Sequence, residues 1–152
     1  MKEFKNIKNF IFDCDGVLYN DLEKVFGQVS KRMTSYISKK LNLDLKKAKE
    51  LQTNYFHKYN TSLNGLMIHH DINPNDFLKY VHEINLDFLE KDLFLREELI
   101  KLKAKKFVFT NGSHEHVANI TKHLGINDLF DGSFDITDCN FIPKPSIEPY
   151  EK

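Results

Sequence analysis

The sequence lacks the features that mark several classes of protein. Its two cysteines are too few for a disulfide framework. Its net charge is zero, because 22 Lys and Arg balance 22 Asp and Glu, and this argues against general binding of nucleic acid or other polyanions. No apolar run approaches the length of about 18 residues that a membrane span needs, so we expect neither a nucleic-acid nor a membrane partner.

The remaining composition is that of an ordinary globular protein. Hydrophobic residues make up 41% and charged residues 29% of the 152 residues, which excludes wholesale disorder. This length suits one domain, or a small domain that carries an insertion. The first residues do not resemble a signal peptide, so we expect a cytoplasmic protein with reduced thiols.

Three short apolar segments predict the strands of a parallel sheet. They cover residues 10–12, 106–110 and, more weakly, 133–136, and the first two stop at Asp-, Asn- and Gly-containing turns. Such segments are typical of buried strands. Apolar residues at helical spacing, followed by Gly125, predict a helix between the second and third segments. The order strand, helix, strand indicates a βαβ unit and an α/β fold.

A long helical stretch separates the first two strands. Between Leu22 and Ile37, apolar residues recur at steps of three and four, which gives one apolar helix face. Asp44 and Asn73 are suited to cap two further helices at their N-termini. Residues 20–98 therefore predict an all-helical insertion.

Polar side chains follow each predicted strand. Asp13 and Asp15 follow the first strand, Thr110 and Asn111 the second, and Lys144 the third. In parallel sheets ligands bind beyond the carboxyl ends of the strands. One carboxylate can attack phosphorus and a second can protonate the leaving oxygen, while a hydroxyl, backbone amides and an ammonium group stabilise the phosphoryl charge. Mg²⁺ fits between carboxylates and phosphate because it prefers oxygen ligands.

Other interpretations of the acidic turn are less consistent with the sequence. A calcium loop of the EF-hand type requires an acid or Asn where Val17 stands and Gly where Leu18 stands. Asp13 and Asp15 are also common turn formers. The order of the acidic turn, the Thr-Asn-Gly turn and the Lys-Pro pair favours a phosphate site over a plain turn.

These three motifs together resemble those of the haloacid dehalogenase superfamily of phosphohydrolases. The motifs are Asp-Cys-Asp-Gly-Val-Leu at 13–18, Phe-Thr-Asn-Gly at 109–112 and Pro-Lys-Pro at 143–145. The insertion resembles the helical cap of the pyrimidine 5′-nucleotidase branch at 59–67, 70–74 and 80–85. His116 and the segment 124–131 also match that branch. The resemblance implies a Rossmann-like parallel-sheet core, residues 1–19 and 99–152, with an inserted all-helical cap, residues 20–98.

The resemblance also implies a role for each site residue. Asp13 would be the nucleophile and a Mg²⁺ ligand, and Asp15 the general acid and base, with its backbone carbonyl on the metal. Thr110 and Asn111 would hold the phosphoryl oxygens, and Lys144 would offset charge on the aspartyl-phosphate. On the cap, Thr61 and His82 would face the nucleoside, although Thr61 is equally suited to cap a helix.

The implied activity is Mg²⁺-dependent hydrolysis of a small-molecule phosphomonoester, a pyrimidine nucleoside 5′-monophosphate, through an aspartyl-phosphate on Asp13. In this superfamily the acid at the position of Asp15 favours phosphate esters over carbon–halogen bonds, because a halide leaves without a proton. Sugar phosphates, the substrates of phosphatase and mutase relatives, are the alternative.

One motif of the superfamily is not found in this sequence. Its members carry a fourth motif, an acid pair after a fourth strand, whereas Asp135 and Asp138 precede Lys144. We therefore expect a chain that is truncated at its C-terminus, binds Mg²⁺ weakly and hydrolyses esters poorly. A catalytically inactive fragment is the alternative.

Two further features have simple structural interpretations. Adjacent His69 and His70 point to different faces of a helix, so we expect surface or cap-lining histidines rather than zinc ligands. Cys14 lies between the two aspartates in sequence, and strand alternation predicts that its thiol points away from them into the core.

Overall fold

The computed structural model describes residues 6–152, which form two compact units. Residues 1–5, on which the signal-peptide expectation rests, lie outside the described residues. The first unit contains the described residues up to Asn20 together with Leu86–Asp135, and the second contains Asp21–Asn85 together with Ile136–Lys152. In chain order the elements are β1 Asn9–Phe12, α1 Leu22–Leu41, α2 Leu45–Tyr59, α3 Ser62–His70, α4 Pro74–His82, α5 Leu93–Lys101, β2 Lys105–Phe109, α6 His114–Leu124 and β3 Gly132–Phe134.

The first unit is built on a three-stranded parallel sheet in the order β1, β2, β3. Ile11 pairs with Phe107, and Phe109 pairs with Phe134. The predicted α/β class and parallel sheet are thus confirmed, although β3 ends at Phe134 and not at the expected Ile136. Because all three strands run the same way, the segments that leave their carboxyl ends emerge at one edge of the sheet.

Helices α5 and α6 complete the first unit. Ser113 caps the start of α6, and Gly125 ends it with a positive φ of 70°, as the sequence predicts. Val108 on β2 and Ile120 on α6 are fully buried. Helix α5 is tied to the end of α6, because the Asp92 N–H donates to the carbonyl of Leu124 at 3.0 Å.

The second unit is a four-helix cluster formed by α1 to α4. The capping residues expected from the sequence are present, since Asp44 accepts from the Lys47 N–H and Asn73 accepts at the start of α4. The buried positions of the four helices form one apolar core, whose members include Val29, Ile37, Ala48, Leu66, Phe77 and Val81. Burial of each large side chain of this kind stabilises a fold by about 1.5–3 kcal/mol.

The boundaries of the two units differ from the expected ones in two places. Residues 86–98 group with the sheet, because α5 is bonded to α6. Residues 136–152 group with the helices, because Ile136 and Phe141 pack against the helical core. Among the described residues, no helix has the length and apolar character needed to cross a membrane.

The close packing of α2 against α3 gives a test of the helical core. A Cβ at Gly65 would lie 2.4 Å from Cγ of Tyr55, far inside the carbon contact distance of about 3.5–4.0 Å. Since Cγ is held close to the backbone, Gly65→Ala should lower the free energy of unfolding by about 1–3 kcal/mol. Urea denaturation measures this loss.

Gly27→Ala is the matched control, because a Cβ at Gly27 in α1 meets nothing within 4 Å. It should raise stability by up to about 1 kcal/mol through helix propensity alone. Equal stability of the two variants would contradict the packing described for α2 and α3.

Candidate active site

The turn after β1 presents the carboxylate of Asp13 to solvent. Asp13 directly follows the last residue of β1 and is exposed. Its Oδ1 accepts the backbone N–H of Cys14 at 2.7 Å. The turn is closed by Val17 and Leu18, whose N–H groups donate to the carbonyl of Cys14. Gly16 has a φ of 74°, a conformation that glycine adopts without steric cost.

Two buried side chains hold the carboxylate of Asp15. The Tyr19 hydroxyl donates to Asp15 Oδ1 at 2.5 Å, and His116 Nε2 lies 2.8 Å from the same oxygen. Tyr19 and His116 are 5% and 1% exposed, whereas Asp15 is half-buried. Burial, together with the charge of Asp15, raises the pKa of Tyr19 far above its usual range. Tyr19 therefore stays protonated and acts as a donor.

The segment between β2 and α6 is a short loop whose backbone N–H groups are hydrogen-bonded at Thr110 and Gly112. The Thr110 N–H donates to the carbonyl of Phe134 at 3.0 Å, which extends the pairing with β3 by one residue. The Gly112 N–H donates to Thr110 Oγ1 at 2.9 Å, and both residues are buried. Because Oγ1 accepts this bond, the hydroxyl keeps its own proton to donate to another group.

The same loop leads into the N-terminus of α6. Ser113 Oγ accepts the His116 N–H at 3.3 Å, and Asp135 Oδ2 accepts the His114 N–H at 2.7 Å. Asp135 is 1% exposed, so its carboxylate is buried against the first turn of α6. Helix N-termini attract negative charge through their N–H groups and the helix dipole. A phosphoryl group bound beside Thr110 and Asn111 would meet this end of α6.

The structure groups the predicted site residues by unit. Four of them belong to the first unit and follow the paired strands: Asp13 and Asp15 after β1, and Thr110 and Asn111 after β2. The other three predicted residues, Lys144, Thr61 and His82, belong to the second unit. Their predicted positions around the substrate stay predictions.

Thr61 has a structural role in the helical unit. Its hydroxyl accepts the Asn64 N–H at 3.1 Å and caps α3. Asn60, which precedes it, adopts a φ of 66° and ends α2. The helix-capping interpretation of Thr61 is therefore confirmed. Because the hydroxyl oxygen acts as the acceptor in this cap, its proton can still be donated to a ligand.

The Cys14 thiol lies closer to the acidic turn than strand alternation predicts. Its Sγ, a carboxylate oxygen of Asp15 and a ring nitrogen of His116 are all within 4.8 Å of one another. Two such ligands on a tetrahedral zinc ion lie about 3.3 Å apart, whereas Asp15 Oδ1 and His116 Nε2 are 2.8 Å apart. That distance is a hydrogen bond, so we interpret the group as a hydrogen-bonded cluster and not as a zinc centre.

The donor set at the acidic turn suits Mg²⁺. The exposed carboxylate of Asp13 and the backbone carbonyl of Asp15 are hard oxygen ligands, and Mg²⁺ keeps several waters beside one or two protein carboxylates. Asp13 and the Asp15 carbonyl would hold the ion, while the Asp15 carboxylate is engaged by Tyr19 and His116.

Sequence reasoning identified the acid pair and singled out His116 by resemblance, but it predicted neither of the two contacts that hold Asp15. Tyr19 lies four residues beyond Asp15, across a turn in which the Leu18 N–H returns to the carbonyl of Cys14 at 3.0 Å. A buried tyrosine directly after an acidic turn is the local signal for this contact. His116 is 101 residues from Asp15, and only the pairing of β1 with β2 brings it near.

Comparison with known proteins gives a family for this fold and site. The family model of haloacid dehalogenase-like hydrolases matches residues 7–152. The Saccharomyces cerevisiae protein named Phosphate metabolism protein 8 is 35% identical over 146 aligned residues, covering 88% of this chain and 44% of the relative. The chain thus spans less than half of that curated relative.

Two solved structures share the fold. A HAD phosphatase from Thermococcus onnurineus has a TM-score of 0.51 at 18% identity, covering 88% of this chain and 64% of that one. The putative HAD-hydrolase YfnB from Bacillus subtilis, solved with magnesium bound, has a TM-score of 0.50 at 15% identity, covering 97% and 71%. At these identities the likeness concerns the fold.

The bond from Gly112 to Thr110 gives a test of the loop. Thr110→Val removes Oγ1 and leaves the buried Gly112 N–H without its acceptor, which costs about 1–3 kcal/mol. Thr110→Ser keeps the oxygen, so its loss in the free energy of unfolding should be much smaller. Urea denaturation of the two variants measures the difference.

Thr121→Val is the matched control, because the buried Thr121 hydroxyl adds a donor to the helical carbonyls of Val117 and Ala118 and accepts no backbone N–H there. Thr121→Val leaves no backbone N–H without an acceptor, so its loss in the free energy of unfolding should be smaller than that of Thr110→Val. A loss at Thr110→Val no larger than at Thr121→Val would show that the loop does not depend on this bond.

Proposed function

Because this chain belongs to the haloacid dehalogenase-like hydrolase family, we propose that it is a Mg²⁺-dependent phosphomonoester hydrolase. The reaction passes through an aspartyl-phosphate on Asp13, and the substrate is a pyrimidine nucleoside 5′-monophosphate. We also propose a cytoplasmic location. The acid pair, with Asp13 exposed and Asp15 held by Tyr19 and His116, is the observation that carries the proposal.

The two carboxylates differ in environment, and this difference supports their proposed roles. Asp13 is exposed at the end of β1, so its carboxylate can reach a phosphorus atom. Asp15 is half-buried and bonded to two side chains, so it is held in one orientation. A nucleophile needs access, and a general acid needs a fixed position relative to the leaving group.

In the first step an Asp13 oxygen forms a bond to phosphorus and the ester P–O bond breaks. The electron pair of that bond goes to the leaving oxygen, which takes a proton from Asp15. In the second step Asp15 takes a proton from water as the water oxygen bonds to phosphorus. The bond between Asp13 and phosphorus then breaks, and phosphate and the free Asp13 carboxylate result.

The donors of the loop after β2 stabilise the phosphoryl group during both steps. The Thr110 hydroxyl has its proton available because Oγ1 accepts from Gly112, and we propose the Asn111 backbone N–H as a second donor. The role proposed for Lys144, by the family resemblance, is to offset charge on the aspartyl-phosphate. When bound, Mg²⁺ supplies positive charge that reduces repulsion between the phosphate and the two aspartates.

The substrate class rests on the cap and on the curated relative. The helical unit carries the segments that resemble the pyrimidine 5′-nucleotidase cap, with Thr61 and His82 proposed to face the nucleoside. The relative that is 35% identical is named for phosphate metabolism, which agrees with a phosphate-ester substrate.

Replacement of the nucleophile is the direct test of the mechanism. Asp13→Asn should lower the kcat for hydrolysis of a pyrimidine 5′-monophosphate at least about a thousandfold, because an amide cannot form the aspartyl-phosphate. Phosphate release by the 152-residue chain measures it. Removal of metal with EDTA should abolish turnover, and Mg²⁺ should restore it.

Asp76→Asn serves as the control, since Asp76 is an exposed aspartate in the first turn of α4. It should keep the activity of the native chain. Turnover that survives the Asp13→Asn substitution would refute the assignment of Asp13 as the nucleophile. A preference for sugar phosphates over pyrimidine nucleotides in the same assay would refute the substrate class while leaving the mechanism intact.

A further inference from the structure

Both side chains that contact Asp15 use the same carboxylate oxygen. Tyr19 Oη lies 2.5 Å and His116 Nε2 lies 2.8 Å from Oδ1. One contact comes from the acidic turn itself and the other from the first turn of α6, so the carboxylate is held from two sides within the first unit. An isolated aspartate side chain rotates about two bonds, and these contacts fix both.

The chemistry of the two partners sets the direction of the hydrogen bonds. The Tyr19 hydroxyl stays protonated and is a donor. Oδ1 accepts hydrogen bonds both when Asp15 is ionised and when it carries its proton on Oδ2, so His116 meets Oδ1 through an Nε2–H. The two donors together use the lone pairs of Oδ1, and we assign proton exchange with the leaving group to Oδ2.

We propose that Tyr19 and His116 are positioning residues for Asp15 in the hydrolysis of phosphate esters. This inference rests on the proposed function. By donating to Oδ1 they aim Oδ2 at the leaving oxygen, and they stabilise the carboxylate that remains once Asp15 has given up its proton. Neither side chain touches the phosphoryl group in this role.

Such a role has a specific kinetic consequence. An alkoxide, such as the 5′-oxygen of a nucleoside, is a poor leaving group and needs a proton from Asp15. The p-nitrophenolate anion is a good leaving group and departs without one. Both esters share the second step, in which Asp15 acts as a base, but they differ in the first, which kcat/KM reports. Loss of positioning should therefore lower kcat/KM selectively for alkyl esters, whereas a general loss of structure lowers it for both classes alike.

The test compares a nucleoside 5′-monophosphate with p-nitrophenyl phosphate in the full chain. His116→Asn should lower kcat/KM for the nucleotide by about tenfold or more. This is part of the contribution of general acid catalysis, which is about 10²–10⁴-fold. It should change kcat/KM for p-nitrophenyl phosphate by less than about threefold, because release of p-nitrophenolate needs no proton. Competitive inhibition by inorganic phosphate should be unchanged in the variant, because neither residue binds the phosphate.

A second pair of variants separates positioning from folding. The amide nitrogen of Gln reaches the place of Nε2, so His116→Gln should recover part of the nucleotide activity that His116→Asn loses. Tyr19→Phe removes only the hydroxyl and should show the same selectivity as His116→Asn. His123→Asn changes a half-buried histidine on the same helix whose Nδ1 lies 2.8 Å from the carbonyl oxygen of Asn119. This variant should keep the native kcat/KM for both esters.

Each outcome decides between the proposals. A selective loss on the nucleotide that Gln restores supports the positioning role. Equal losses on both esters, or unchanged kinetics in folded variants, overturn it and leave the proposed function standing. If the unsubstituted chain hydrolyses neither ester, this result overturns the proposed function and the positioning role that rests on it.

Discussion

The parallel pairing of β1 with β2 is the constraint on which the candidate site depends. Phe12 lies opposite Val108, so the chain leaves both strands at the same edge of the sheet. Asp13 follows the first strand and Thr110 the second. Antiparallel pairing or a register shifted by several residues would separate the carboxylate from the loop that donates hydrogen bonds, although the local sequences would be unchanged.

The second level of organisation is the network that runs from the loop after β2 to the acidic turn. Ser113 caps α6, and the first turn of that helix carries His116 to Oδ1 of Asp15. The same helix start is held to β3 by Asp135. One helix N-terminus therefore contacts both the loop that would bind phosphate and the acid that would protonate the leaving group.

Local patterns explain which parts of this arrangement could be predicted from the sequence. The capping residue Asp44 and the terminal glycine of α6 act on their own neighbours, and both were predicted correctly. The contact between Asp15 and His116 spans 101 residues and depends on strand pairing, which a linear pattern does not encode. Residues 136–152 group with the helices through Ile136, which is buried in the helical core, and Phe141, which packs against it, and these are again tertiary contacts.

A crystal structure of the chain with Mg²⁺ and beryllium fluoride, a mimic of the phosphoryl group on aspartate, tests the account most directly. We expect beryllium on an oxygen of Asp13, fluorine atoms within hydrogen-bond distance of Thr110 and the Asn111 backbone, and Asp15 Oδ1 still bonded to Tyr19 and His116. Beryllium fluoride on another residue, or bound to Asp13 with the Thr110 loop turned away from it, would contradict the claim that these two loops hold one phosphorus atom.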